Sequence, residues 1–193
     1  MTMEGRASLV TDLGDGTVLR RGGQPQREAR LMELAGSHGF PVPRVHEVRA
    51  DGLVMERIDG PTMAGAIRRR PWHLSRHVAV LADLHERLHR IPLEGASLLH
   101  RDLHPENVLV SPSGPLVIDW TNAGPGDGAV DLALTWLILA TSGGAPGRLM
   151  AALFRRKVGI AALTAGLQEA RAYRLADPNV TDAERRRARS LTV

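Results

Sequence analysis

No cysteine occurs in this chain, which excludes disulfide frameworks, thiolate nucleophiles and cysteine-ligated zinc. Lysine is almost as scarce. Lys157 stands alone, and arginine supplies the rest of the 25 basic residues. With no lysine after a glycine-rich turn, the Gly-x-x-x-x-Gly-Lys-Ser/Thr phosphate loop is also excluded. Aromatic residues make up only 3% of the chain, too few to stack bases between arginines, so no nucleic-acid partner is expected despite a net charge of +4. No apolar run approaches the roughly 18 residues of a membrane span. Met1 to Arg6 lacks the basic-then-apolar order of a secretory signal, so the expectation is a cytoplasmic protein with no membrane partner.

The chain does contain 43% hydrophobic residues spread along 193 positions, enough for one domain or two small lobes sharing a core. Leu9-Val10 and Thr17 to Leu19 flank Gly14-Asp15-Gly16 and predict two short antiparallel strands. A helix is expected over Arg27 to Leu34, stopped by Gly36 and Gly39. Arg44 to Arg49 and Leu53 to Ile58 around Asp51-Gly52 predict a hairpin. Asp59-Gly60-Pro61 then breaks the pattern, which divides the chain into a small lobe, 1–58, and a mainly helical lobe, 59–193. In the second lobe, Val78, Leu81, Leu84, His85 and Leu88 recur at helical spacing up to Pro92. A strand from Leu98 runs into a loop ending at Asn107. Two more strands, 108–110 and 116–118, surround Ser111 to Gly114, and helices follow from Ala129 with breaks at Gly143-Gly144 and Asp177-Pro178. The basic run Arg185 to Arg189 reads as a solvated helix end or a tail.

The chemistry concentrates in His100-Arg101-Asp102-Leu103-His104-Pro105-Glu106-Asn107 and in Asp119. Phosphoryl transfer from a nucleotide needs a carboxylate beside the attacking hydroxyl and oxygen ligands for magnesium. Asp102 suits the first role, and Asn107 with Asp119 the second, because a hairpin can return Asp119 beside Asn107. An Asp at a turn is ordinarily a local cap; the ordered set is what points to catalysis.

These residues, with Val117 to Trp120 and Gly124-Pro125-Gly126-Asp127 leading to Asp131-Leu132-Ala133, resemble the aminoglycoside phosphotransferase and choline kinase family. Pro41 to Val45 and Leu81 to His85 extend the likeness. The resemblance implies an α+β, protein-kinase-like fold with two lobes, and ATP- and Mg2+-dependent phosphorylation of a small-molecule hydroxyl. It implies Asp102 as the catalytic aspartate, Asn107 and Asp119 as magnesium ligands, Asp131, His100 and His104 as supports of the loop, and backbone from Glu56 to Ile58 as the adenine hinge. The family's small-lobe lysine is missing here, and Arg20 with Glu28 is the substitute pair. Few residues precede Asp15, so the usual first strands and phosphate loop are expected to be truncated.

Two other readings stand beside this one. A kinase-like binding protein without turnover would explain the absent lysine. A zinc hydrolase would use His85-Glu86-Arg87-Leu88-His89, a His-Glu-x-x-His on a helix whose third ligand the sequence does not identify.

Overall fold

The computed structural model describes residues 2–4 and 9–193, with side chains from Val10 onward. The small lobe is a five-stranded antiparallel sheet in the order β1-β2-β3-β5-β4, carrying one helix. Its strands are β1 (Thr2–Glu4), β2 (Leu9–Asp12), β3 (Thr17–Arg21), β4 (Val45–Val48) and β5 (Gly52–Glu56), and α1 (Pro25–Ser37) lies between β3 and β4. The predicted pair around Gly14-Asp15-Gly16 is β2 with β3. β1 pairs with β2, and the two leading strands are only three and four residues long. Residues 5–8, where a phosphate loop would lie, are outside the described residues. Pro25 opens α1, where its missing N–H costs nothing, and Ala29, Leu31, Met32 and Ala35 turn into the core.

The chain enters the larger lobe through Arg57 to Pro61 and starts α2 (Met63–Arg69), capped by the Thr62 hydroxyl accepting from Gly65 N at 3.0 Å. α3 (Leu74–His89) matches the predicted amphipathic helix and buries Val78, Leu81, Leu84, His85 and Leu88. β6 (Pro92–Leu93) and β7 (Ala96–Leu99) form a sheet with β10 (Gly124–Gly126), and β8 (Val108–Ser111) and β9 (Gly114–Val117) form the expected hairpin. Four helices follow: α4 (Gly128–Ser142), α5 (Gly144–Val158), α6 (Ile160–Ala176) and α7 (Asp182–Ser190). The break at Gly159, between α5 and α6, was not anticipated.

α4 is the centre of this lobe, buried on nearly every side from Val130 to Leu139. It crosses α6 so closely that a Cβ on Gly166 would stand 2.1 Å from Ala129 O; only glycine fits there. The basic C-terminal run is not a free tail. Arg185 donates to Asp177 O at 2.6 Å and Val180 O at 3.1 Å, and Arg187 to Thr141 O at 3.0 Å, so these cations satisfy orphan carbonyls around helix ends. No helix of the described residues is long and apolar enough to cross a membrane.

Candidate active site

The loop from His100 to Asn107 leaves β7 and enters β8, and its first bend is strained. Arg101 has φ of +63°, a conformation unusual for arginine. Three contacts hold it there. Asp131, in the first turn of α4, accepts from Arg101 N at 2.7 Å and from His100 N at 3.1 Å, and the Arg101 guanidinium donates to Pro125 O at 2.6 Å. His100 is fully buried; its Nε2 donates to Ile118 O at 3.1 Å and its ring meets Trp120 edge-on at 5.2 Å.

Asp102 follows this bend with 29% of its side chain exposed. Asn107 Nδ2 donates to its Oδ2 at 3.0 Å and its carbonyl at 2.8 Å, and His104 Nε2 lies 3.4 Å from Oδ1. His104 Nδ1 accepts from Glu106 N at 3.3 Å, which leaves Nε2 as the proton-bearing atom facing Asp102. Burial pushes the Asp102 carboxyl up, but the His104 hydrogen bond and the neighbouring histidines outweigh it and hold the group below its ordinary value. Asp102 is therefore an ionised acceptor at neutral pH.

Asp119 arrives from the other side of the hairpin. The register Val108↔Val117 and the bond from Ile118 N to Asn107 O at 3.0 Å place the residues after β9 against Asn107. Asp119 also has positive φ, +65°. Its Oδ1 accepts from Thr121 Oγ1 at 2.9 Å and from Arg20 Nη2 at 2.7 Å. The Arg20 guanidinium, on β3, is 7% exposed and forks between the lobes: Nη1 donates to Glu28 Oε2 at 2.7 Å, and Nη2 also reaches Thr121 Oγ1 at 2.6 Å. Arg20 and Glu28 are thus brought together as the sequence suggested, and Arg20 is tied to Asp119 as well, which it did not suggest.

Glu56 and Ile58 lie at the lobe junction. Glu56 ends β5, exchanging backbone and side-chain bonds with Arg44, and Arg57 N donates to Gly16 O at 2.9 Å. Neither Glu56 nor Ile58 bonds to the Asp102 loop among the described residues.

Several contributors escaped the sequence reading. Thr121 links Arg20 to Asp119, and only its position two residues past Asp119 could have signalled it. Arg27 donates to Thr121 O at 3.4 Å and to Ala123 O, bracing the same segment from α1. Glu106 accepts from Thr62 Oγ1 at 2.7 Å and from Arg68 at 3.0 Å, tying α2 to the His100–Asn107 loop. Behind the loop, Thr135 Oγ1 donates to Leu103 O at 2.7 Å. Glu86, the general base of the zinc-hydrolase alternative, is exposed and paired with Arg90.

Comparison with known proteins follows the same outline. The family model described as "Phosphotransferase enzyme family" matches residues 66–173, more than half of the chain. A probable serine/threonine-protein kinase BUD32 homolog from Archaeoglobus fulgidus is 32% identical over 93 residues, 48% of this chain and 42% of the relative. The chain spans less than half the length of the curated relatives it matches. Among solved structures, a choline/ethanolamine kinase family protein from Mesorhizobium loti superposes with a TM-score of 0.67 at 17% identity, covering 98% of this chain and 86% of that one. A thermostable mutant of aminoglycoside phosphotransferase APH(4)-Ia, in a ternary complex with AMP-PNP and hygromycin B, has a TM-score of 0.64 at 16% identity, covering 90% of this chain and 81% of that one. At these identities the structural likeness establishes the fold: α+β, two-lobed and protein-kinase-like.

Proposed function

We propose that this chain, which belongs to the phosphotransferase enzyme family, transfers the terminal phosphoryl group of ATP to a hydroxyl group of a small molecule. The observation that carries the reading is the convergence of Asp102, Asn107 and Asp119, joined by the Asn107 amide and by the Ile118–Asn107 backbone bond. Asp102 accepts the proton of the substrate hydroxyl as its oxygen attacks the γ-phosphorus. The new P–O bond forms as the bond to the β–γ bridging oxygen breaks, and ADP leaves with that electron pair.

The donor set suits magnesium: a carboxylate and an amide oxygen are hard oxygen ligands, and the Asn107 nitrogen is already turned to Asp102. Asp119 and Asn107 would hold Mg2+, which when bound offsets the charge of the phosphates. Arg20, oriented by Glu28, supplies a fixed cation for the phosphates, and backbone near Glu56 and Ile58 receives the adenine. One solved structure of this fold holds AMP-PNP and hygromycin B and another is a choline/ethanolamine kinase family protein, and both support a small hydroxylated acceptor. The test is a screen of hydroxylated metabolites and antibiotics for ATP consumption, with Asp102→Ala as control. Consumption that persists in the variant would sink the assignment.

A second reading, nucleotide binding without transfer, is favoured by one contact: Arg20 occupies Asp119 Oδ1 at 2.7 Å. Calorimetry together with the acceptor screen separates the two. Magnesium-dependent ATP binding with consumption supports the enzyme, ATP binding without consumption supports the second reading, and no binding at millimolar nucleotide opposes the enzyme.

A further inference from the structure

The phosphotransfer reading leaves one motif unused: His85-Glu86-Arg87-Leu88-His89. The two histidines stand one turn apart on the same face of α3, their ring centroids 5.4 Å apart. α4 brings Asp131 against both: Oδ2 accepts from His89 Nε2 at 3.1 Å, a proton that a metal would displace, and lies 3.6 Å from His85 Nδ1. One ligand atom from each residue lies within 4.8 Å of the others.

Counting protons shows what this cluster lacks. Thr135 Oγ1 has one proton, and it goes to Leu103 O at 2.7 Å, since a carbonyl can only accept. The same hydroxyl oxygen must then accept from His85 Nε2 at 3.0 Å, so Nε2 carries the proton of the neutral ring. His85 Nδ1 is left with a bare lone pair. That atom is buried, has no hydrogen-bond partner, and lies 3.6 Å from the Asp131 carboxylate. A lone pair beside a carboxylate in a dry interior is repulsive, so a positive centre between them is favoured. A second proton on His85 would serve, but complete burial opposes the charged ring.

We propose that His85, His89 and Asp131 form a transition-metal site suited to Zn2+, set behind the catalytic loop and separate from the Asn107–Asp119 pair. Two imidazoles and one carboxylate are zinc-type donors. Zinc bonds of about 2.0–2.2 Å put tetrahedral ligands roughly 3.3 Å apart, and the distances of 3.1 and 3.6 Å bracket that value. His89 is 15% exposed and lines a cleft of about 540 Å³ with Asp83, Glu86 and Lys157, which admits water as a fourth ligand. The His89 ring packs against the Gly128 backbone, where a Cβ would fall 2.6 Å from its Nδ1. Glu86 is exposed and paired with Arg90 on the outer face of α3. The role of the site is to fix Asp131, whose Oδ1 holds Arg101 N and so the approach to Asp102.

The full chain, stripped with chelator, is titrated with Zn2+ and with Co2+ as a visible reporter. The expected result is saturable binding of about one metal per chain, a rise in thermal midpoint, and Co2+ bands of four-coordinate intensity. Loss of an outer-shell partner already costs about 10–100-fold in metal affinity, so His89→Ala should lose more than about 100-fold. Asp119→Asn should bind as the parent does, which separates this proposal from the magnesium reading. X-ray absorption of the parent should show two imidazoles on zinc even if His89→Ala does not fold. The proposal is overturned by binding only at millimolar Zn2+, by unchanged affinity in a folded His89→Ala, by zinc lost in Asp119→Asn, or by absorption spectra without imidazole ligation. It is equally overturned if nitrogen-15 spectra of the chelated parent show His85 doubly protonated and zinc does not displace that proton.

Discussion

The two halves of the proposed active site are held in opposite ways. Asp102 and Asn107 sit five residues apart in one loop, and the loop is fastened repeatedly: through Asp131 to two backbone N–H groups, through His100 to Ile118 O, through Thr135 to Leu103 O, and through Glu106 to α2. The small-lobe half rests on one buried charge. Arg20 pairs with both Glu28 and Asp119, the latter 99 residues away, and Arg27 adds bonds to the Thr121 and Ala123 carbonyls. Removing a fastening of the loop orphans backbone N–H groups, whereas removing the buried guanidinium strands the Glu28 charge. The comparison makes predictions that can break it.

The largest effect should come from Asp102→Ala, which is expected to lower transfer by about 10²–10⁴-fold while leaving the thermal midpoint nearly unchanged. The loop's fastenings do not pass through that carboxylate, and Asn107 keeps its bond to the Asp102 carbonyl. Urea unfolding of Asp131→Ala should show a loss of about 3–5 kcal/mol, since the variant orphans His100 N and Arg101 N together. Arg20→Met should cost about 3 kcal/mol, because Glu28 is 1% exposed and would keep only its bond to Gln24 N. If Arg20→Met proves harmless while nucleotide binding survives, the buried guanidinium is not what ties the small lobe to Asp119.

Acid should find the loop half through its histidines. His100 is buried, its Nδ1 has no partner, and burial pushes its pKa down; His85 is shifted the same way. The unfolded imidazole, near 6.5, takes up a proton that the folded one refuses, so stability is complete above about pH 6.5 and falls as pH drops below it. Each histidine contributes a slope approaching about 1.4 kcal/mol per pH unit. Melting of chelated protein between pH 7.5 and about 5 checks this, and His100→Gln should flatten the profile. A profile equally steep in that variant would assign the acid response elsewhere.

Sequence spacing served the two halves unequally for the same physical reason. The catalytic loop, the β8–β9 hairpin, α1 and α3 were readable because their determinants are local: turn residues, a helical stripe from Val78 to Leu88, and a motif compressed into residues 100–107. β6 and β10, by contrast, consist of Pro92–Leu93 and Gly124–Gly126, which read as turns and become strands only by pairing with β7. α2 is seven residues long with Gly65 inside it, too short to show periodicity. The Arg20–Asp119 bond carries no local signature at all. Nor did the helix pattern of His85 and His89 reveal that Asp131 would meet them, because that contact depends on the burial of α4.

The smallest and most discriminating test is Thr121→Val. Thr121 Oγ1 accepts from Arg20 at 2.6 Å and donates to Asp119 at 2.9 Å, so valine removes both bonds while keeping the shape. It leaves Glu28 and Asp119 paired with Arg20, so no charge is stranded, and the cost should be about 1 kcal/mol in urea unfolding. The functional effect should be confined to Asp119: weaker magnesium-dependent ATP binding, with Thr121→Ser restoring it through its own hydroxyl. If Thr121→Val costs as much as Arg20→Met, then the hydroxyl rather than the guanidinium joins the lobes. A cost near zero in both would mean that the small lobe is held by its apolar contacts with Phe40 and Trp120, whose rings meet edge-on at 5.9 Å.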